Sequence, residues 1–165
     1  MTRLAQLPEP PVLHLEEVVE IVKKFADGFH HAKEENLLFP LLGEKGFSPD
    51  QGPVAVMLNE HTAGRQYVKG MAENIVLYRD GNKAAIRDIR ENMLNYADLL
   101  NNHIHKENNI LFRMADNVLS DAEQENLLSQ FNDVEKEMDQ SPAEWVRKIN
   151  KLAEAYGIPP ENSLA

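Results

Sequence analysis

Two stretches of this 165-residue chain carry a histidine followed four residues later by a glutamate, His30/Glu34 and His103/Glu107. On a helix this spacing puts both side chains on one face about one turn apart, so both can reach a common centre. A single pair of this kind is common by chance. Here the surroundings repeat as well: the ten residues from His30 and the ten from His103 share six identities, and Glu35/Asn108 and Leu37/Ile110 are similar. The two stretches read as one functional element used twice. Imidazole nitrogens and carboxylate oxygens brought together in this way are the donors of a metal site.

The helices that must carry these residues show why the donors are expected inside. Val54, Met57, Leu58, Gly64, Val68, Met71, Ala72 and Ile75 recur at helical spacing with His61 in the middle of their stripe. Ile86, Ile89, Met93, Tyr96, Leu100, Ile110 and Met114 form a second stripe, and His103 and Glu107 occupy its missing steps. At about 100° per residue His30 and Glu34 share a face with Val19, Ala26 and Leu37. An unpartnered carboxylate in an apolar interior costs several kcal/mol or takes up a proton, so histidines and glutamates gathered in a core need a compensating cation. Two pairs and His61 converging from facing helices is how bundle metal sites are built.

Proline and glycine divide the chain into long segments of helical composition with no alternating stretch, which predicts an all-α fold. A first helix is expected from about His14 to Phe39, ending near Pro40, and a second from Ser48-Pro49 to about Tyr78. The third is expected from about Lys83 to Met114. Capping boxes at Ser120/Glu123 and Ser141/Glu144 open two shorter helices, the last stopping at Gly157 before Pro159-Pro160. One domain is expected over residues 14–156, with an N-terminal extension at 1–13 and a frayed tail at 157–165.

Composition narrows the chemistry. With no cysteine in the chain, disulfides, thiolate zinc, iron–sulfur ligation and thiol catalysis are excluded. A formal charge of −10 with scattered Lys and Arg argues against nucleic acid. The apolar runs are too short for a membrane span and the N-terminus lacks a signal-peptide core, so a cytoplasmic protein is expected. Three imidazoles and two carboxylates without sulfur suit iron or manganese better than structural zinc, and iron is favoured.

The segments FADGFHHAKEENLLFPLL, MLNEHTAGR and NHIHKENNILFRMAD, in this order, resemble the hemerythrin-like (HHE cation-binding) family over roughly Phe25 to Asp116. The resemblance implies an up-and-down four-helix-type bundle with an additional short C-terminal helix, and a non-haem iron centre, usually of two ions. It carries the ligand role onto His30, Glu34, His61, His103 and Glu107. Family members typically add a histidine from an earlier helix, which is expected here to be missing or short. His14, on the same helix as His30, would lie about 24 Å from it. The absent ligand is then expected from His31, where some members place a carboxylate, from another subunit, or from nowhere.

Around the donors, Asp27 is expected to accept the ring N–H of His30, Glu60 to be either a similar partner or a surface charge, and His105 to face solvent or a neighbouring helix. The function expected is binding or sensing of dioxygen or a related small molecule. The alternatives are an oxidoreductase acting on peroxide or nitric oxide, helped by a donor such as Tyr67 or Tyr96, or an interaction module with a vestigial site. A homodimer is a further expectation, since a bundle lacking one wall exposes an apolar face.

Overall fold

The structure is a computed structural model describing residues 1–159, and its six helices contain no strand among the described residues. A short α1 (Thr2–Ala5) precedes α2, a continuous run over 12–44. Then follow α3 (Gly52–Arg79), α4 (86–118, entered through the tight turn Lys83–Ala85), α5 (Asp121–Lys136) and α6 (Pro142–Glu154). The three long helices form the up-and-down core. α5 and α6 complete the bundle as a two-piece wall along α2, instead of one short helix being added to a finished bundle. Trp145 of α6 is buried against Phe25, with ring centres 6.3 Å apart, while Lys33 of α2 pairs with Glu135 of α5 at 3.0 Å. Both expected capping boxes form: Glu123 accepts from the Ser120 backbone N–H at 2.9 Å, and Glu144 from that of Ser141 at 2.7 Å.

Three helix boundaries differ from expectation, one of them the end of α4, which runs on to Val118 instead of about Met114. α2 continues through Pro40 to Glu44, because proline here sits near the start of a regular segment that follows a wide π-helical turn over Glu34–Leu38. Proline removes one hydrogen bond and crowds the carbonyl four residues back, and a widened turn upstream relieves both. Ser48 closes a turn by accepting from Asp50 N–H at 3.0 Å, and α3 starts only at Gly52, whose φ of +76° suits glycine. The expected tail beyond residue 159 lies outside the described residues.

The wide turns also move the buried face. α2 is π-helical over Val22–His31 and again over Glu34–Leu38, and α4 over Glu107–Leu111. Each wide turn adds a residue to the turn. Leu38 and Leu111, not Leu37 and Ile110, are therefore buried, and Ile110 is half exposed. Gly28 lies inside the first wide turn, where an added Cβ would make a tight contact of 3.0 Å with the Lys23 carbonyl oxygen.

Candidate metal centre

Along each long helix a buried polar level separates two apolar clusters. One holds Val22, Val68 and Tyr96, the other Leu38, Met57 and Leu111, and between them lie His31, Glu34, His61, His103 and Glu107. All five are at most 6% exposed. α2 contributes His31 and Glu34 from its wide turns, α3 contributes His61, and α4 contributes His103 and Glu107.

The donors point at one another. His61 Nε2 and His103 Nε2 are 3.2 Å apart, His61 Nε2 is 3.3 Å from Glu34 Oε2, and His103 Nε2 is 2.8 Å from Glu107 Oε1. The other ring nitrogens are committed outward: His61 Nδ1 lies 2.7 Å from Glu35 and His103 Nδ1 3.0 Å from Glu60. Carboxylates only accept, so each Nδ1 carries its proton and donates, leaving both Nε2 lone pairs turned inward against two carboxylates. Neither oxygen of Glu34 has a hydrogen-bond partner. Four acceptors facing one point require a cation or protons. Donors about 2.1 Å from a shared ion lie roughly 3.0–3.4 Å apart, so this set fits a metal.

Without a metal, protons are the substitute. Glu107 raises the pKa of His30, outweighing burial. Burial works against a charged His103, yet Glu107 and Glu60 raise its pKa too. Burial likewise pushes Glu107 upward, but His103 and His30 hold it well below the ordinary carboxylate range. His31 goes the other way. Burial, reinforced by the imidazoles of His61, His30 and His103, lowers it to about 3, so it is a neutral ring with a lone pair to offer.

His30, placed inside by helical arithmetic, is instead half exposed, with Nε2 3.5 Å from Glu107 and 3.9 Å from Glu34. The wide turn brings its neighbour His31 in, stacked on His61 with ring centres 3.9 Å apart. Asp27 accordingly faces His31 Nδ1 at 3.4 Å and not His30. His31, His61 and His103 each offer a nitrogen within 4.8 Å of the others, as do the donors of Glu34, His61, His103 and Glu107. Glu60 serves as the partner of His103 and is itself paired with Lys106. His105 is exposed and bonded to Asn109, and His14 is held by the Tyr156 hydroxyl at 2.5 Å, away from the cluster.

Two participants were not foreseen. Glu35 orients His61, and Arg65 ties Asp27 at 2.8 Å to Glu35 at 2.7 Å, so one guanidinium braces the partners of two ring histidines. The doubled Glu34-Glu35 and the arginine one turn after His61 were the available signals.

With this geometry established, comparison with known proteins defines the class. A family model, the hemerythrin HHE cation-binding domain, matches residues 2–115, and the chain belongs to that family. Among curated proteins it is similar to the iron-sulfur cluster repair protein YtfE of Pectobacterium carotovorum subsp. carotovorum (strain PC1), 35% identical over 52% of this chain and 40% of that protein. The YtfE proteins of Yersinia pestis (strain Pestoides F) and Dickeya chrysanthemi (strain Ech1591) are 36% identical over the same shares. The matched region thus spans about two fifths of these relatives' length. No solved structure matches. Among the described residues no helix is long and apolar enough to cross a membrane.

Proposed function

We propose that the chain is a non-haem iron protein that holds two ions through His30, His31, Glu34, His61, His103 and Glu107, and that it binds or senses dioxygen or a related small molecule. The observation that carries this reading is the inward convergence of the His61 and His103 lone pairs on the buried, unpartnered carboxylate of Glu34. Bound iron would supply open coordination positions and electron exchange. The chain's own residues fix the ring orientations through Glu35, Glu60 and Asp27, and all of the donor residues but His30 are buried. His31 takes the place that the family fills from an earlier helix. The repair role in the relatives' name belongs to much longer chains, and only the metal site is carried over from them.

The test is iron content per chain together with the optical spectrum in air and under reductant. About two irons per chain and a spectrum that changes with dioxygen are expected; protein purified iron-free from iron-rich growth overturns the reading. One observation favours turnover of peroxide or nitric oxide instead. Tyr96 has a buried hydroxyl with no partner, and it lines cavities that also include His31 and His103. Burial, with the nearby Asp27 charge, raises its pKa, so it stays protonated as a donor. Tyr67 packs against the apolar core instead. Steady-state turnover abolished in a folded Glu107→Ala variant would decide for this second reading.

A further inference from the structure

Two cavities meet at the polar level. One, of about 440 Å³, opens along α3 past Arg65 and Lys69; the other, of about 640 Å³, runs between α2 and α4 under α6. The larger is far more than a diatomic molecule needs. Its walls are apolar, with Ile21, Phe25 and Leu100 from the long helices and Ile149, Leu152 and Ala153 from α6. The same cavity is also lined by His30, His31, His103, Glu107 and Tyr96. A cavity of this size, lined by apolar groups with a few convergent polar ones, has the make-up of a binding site for an organic molecule.

From this we infer that the larger cavity is a chamber for an elongated apolar molecule with one uncharged, oxygen-bearing head, such as a medium-chain alcohol or aldehyde, the head accepting a hydrogen bond from Tyr96. Tyr96 lines this cavity with its hydroxyl buried and unpartnered in the wall, so a small shift of the ring lets it donate to an occupant, which defines the head as an acceptor. The carboxylate of Glu107 in the same wall, and a chain charge of −10, disfavour an anion. Of the cationic groups that line it, the Arg3 guanidinium is already committed to the carbonyl oxygens of Tyr156 at 2.8 Å and Gly157 at 3.4 Å, and burial lowers the pKa of the Met1 amino group. The placement of the head beside the donors rests on the metal-site reading, whereas the apolar binding does not.

The experiment titrates the full chain, metal-free and iron-loaded, with prodan, a neutral fluorophore whose single carbonyl accepts hydrogen bonds. Saturable binding of one prodan per chain with blue-shifted emission is expected. Octanol should displace it at least about tenfold more effectively than octanoate, because a carboxylate would be desolvated beside another. Ile149→Trp and Ala153→Phe, each on the partly exposed α6 and each checked for folding by circular dichroism, should weaken prodan binding by filling the chamber. If one does not fold, the other decides. Tyr96→Phe should cost about fivefold, the worth of one hydrogen bond, and move the emission further to the blue, because a hydrogen bond to the carbonyl shifts it to the red. Absence of saturable binding, octanoate competing as well as octanol, or unchanged binding in a folded chamber-filling variant would overturn the proposal. Iron content measured on the same samples separates the two readings: dye bound without iron sinks the metal site alone, and iron without dye sinks the chamber alone.

Discussion

The two similar segments of the chain, starting at His30 and at His103, end up in different surroundings. His103 is 2% exposed, donates to Glu60, and is packed between α2 and α3. His30, its counterpart, has a side chain 45% exposed and faces the cavity under α6. One position further on, the order reverses: His31 is buried on His61, while its counterpart Ile104 is 43% exposed. The long wide turn over Val22–His31 has no equivalent before His103, where α4 is regular from Ile86 to Lys106. The same local sequence thus presents a different histidine according to how the helix is wound just before it. Repetition in sequence is evidence for a shared element, but winding decides which atoms meet.

Removing each histidine tests this asymmetry most directly. His103→Ala deletes a buried donor and strands Glu60, and it should lower iron affinity by more than the roughly 10–100-fold typical of losing a backing partner alone. His30→Ala, at the open edge, should retain a measurable share of the iron. Metal analysis after dialysis against a weak chelator reads both, and equal losses would erase the distinction between the two segments.

His31→Ile gives the first segment the residue that the second has at the matching position. If His31 donates to the centre, iron content falls and the spectrum changes; full iron with an unchanged spectrum would reduce His31 to a packed ring. The metal-free protein offers an independent reading. The folded-state pKa of His31 is lowered to about 3 from the ordinary 6.5, so as pH falls the unfolded chain takes up the proton first. Its contribution is therefore fully present above 6.5 and is lost progressively toward 3. Urea midpoints of chelator-treated protein should fall over this window, less steeply in His31→Ile.

Much of this arrangement was legible from spacing. The His103/Glu107 pair and His61 in its stripe follow from the periodicity of a regular helix and both capping boxes from their own residue pattern, and the long helices form on the segments that these signals mark, with shifted ends. What spacing could not show is the phase. A wide turn leaves no composition signature beyond Gly28, so arithmetic at a constant angle placed His30, Leu37 and Ile110 inside where His31, Leu38 and Leu111 are found. The Arg65 clamp was hidden for another reason: its partners Asp27 and Glu35 are 38 and 30 residues away, and only packing brings them together.

The backing carboxylates should rank in the same way as the rings they hold. Glu60 meets His103 at 3.0 Å and is anchored by Lys106, whereas Asp27 meets His31 at 3.4 Å and shares its oxygen with Arg65. Glu60→Gln should weaken iron binding by tens of fold and Asp27→Asn by about tenfold or less, since outer partners usually contribute 10–100-fold. Competition titration against a chelator of known affinity measures both, and a larger effect of Asp27→Asn would mean that the first segment, not the second, anchors the centre.

The smallest effect concerns the two-piece wall that leaves His30 at an open edge. Ser141 caps α6 by hydrogen bonding with Glu144, and replacing such a cap by alanine costs about 1 kcal/mol. In Ser141→Ala, amide exchange should quicken over Pro142–Glu154 and Trp145 emission should shift red, because the helix opens more often from its N-terminal end. Iron content should not change, since α6 supplies none of the donors. Acidification should act in the same direction: the Ser141 backbone N–H and hydroxyl lower the Glu144 pKa, so the cap is strongest above the ordinary carboxylate value and weakens as pH falls below it. Iron lost together with α6 order would show that the wall holds the first segment in place, and that the exposure of His30 reflects coupling to α6 more than the winding of α2.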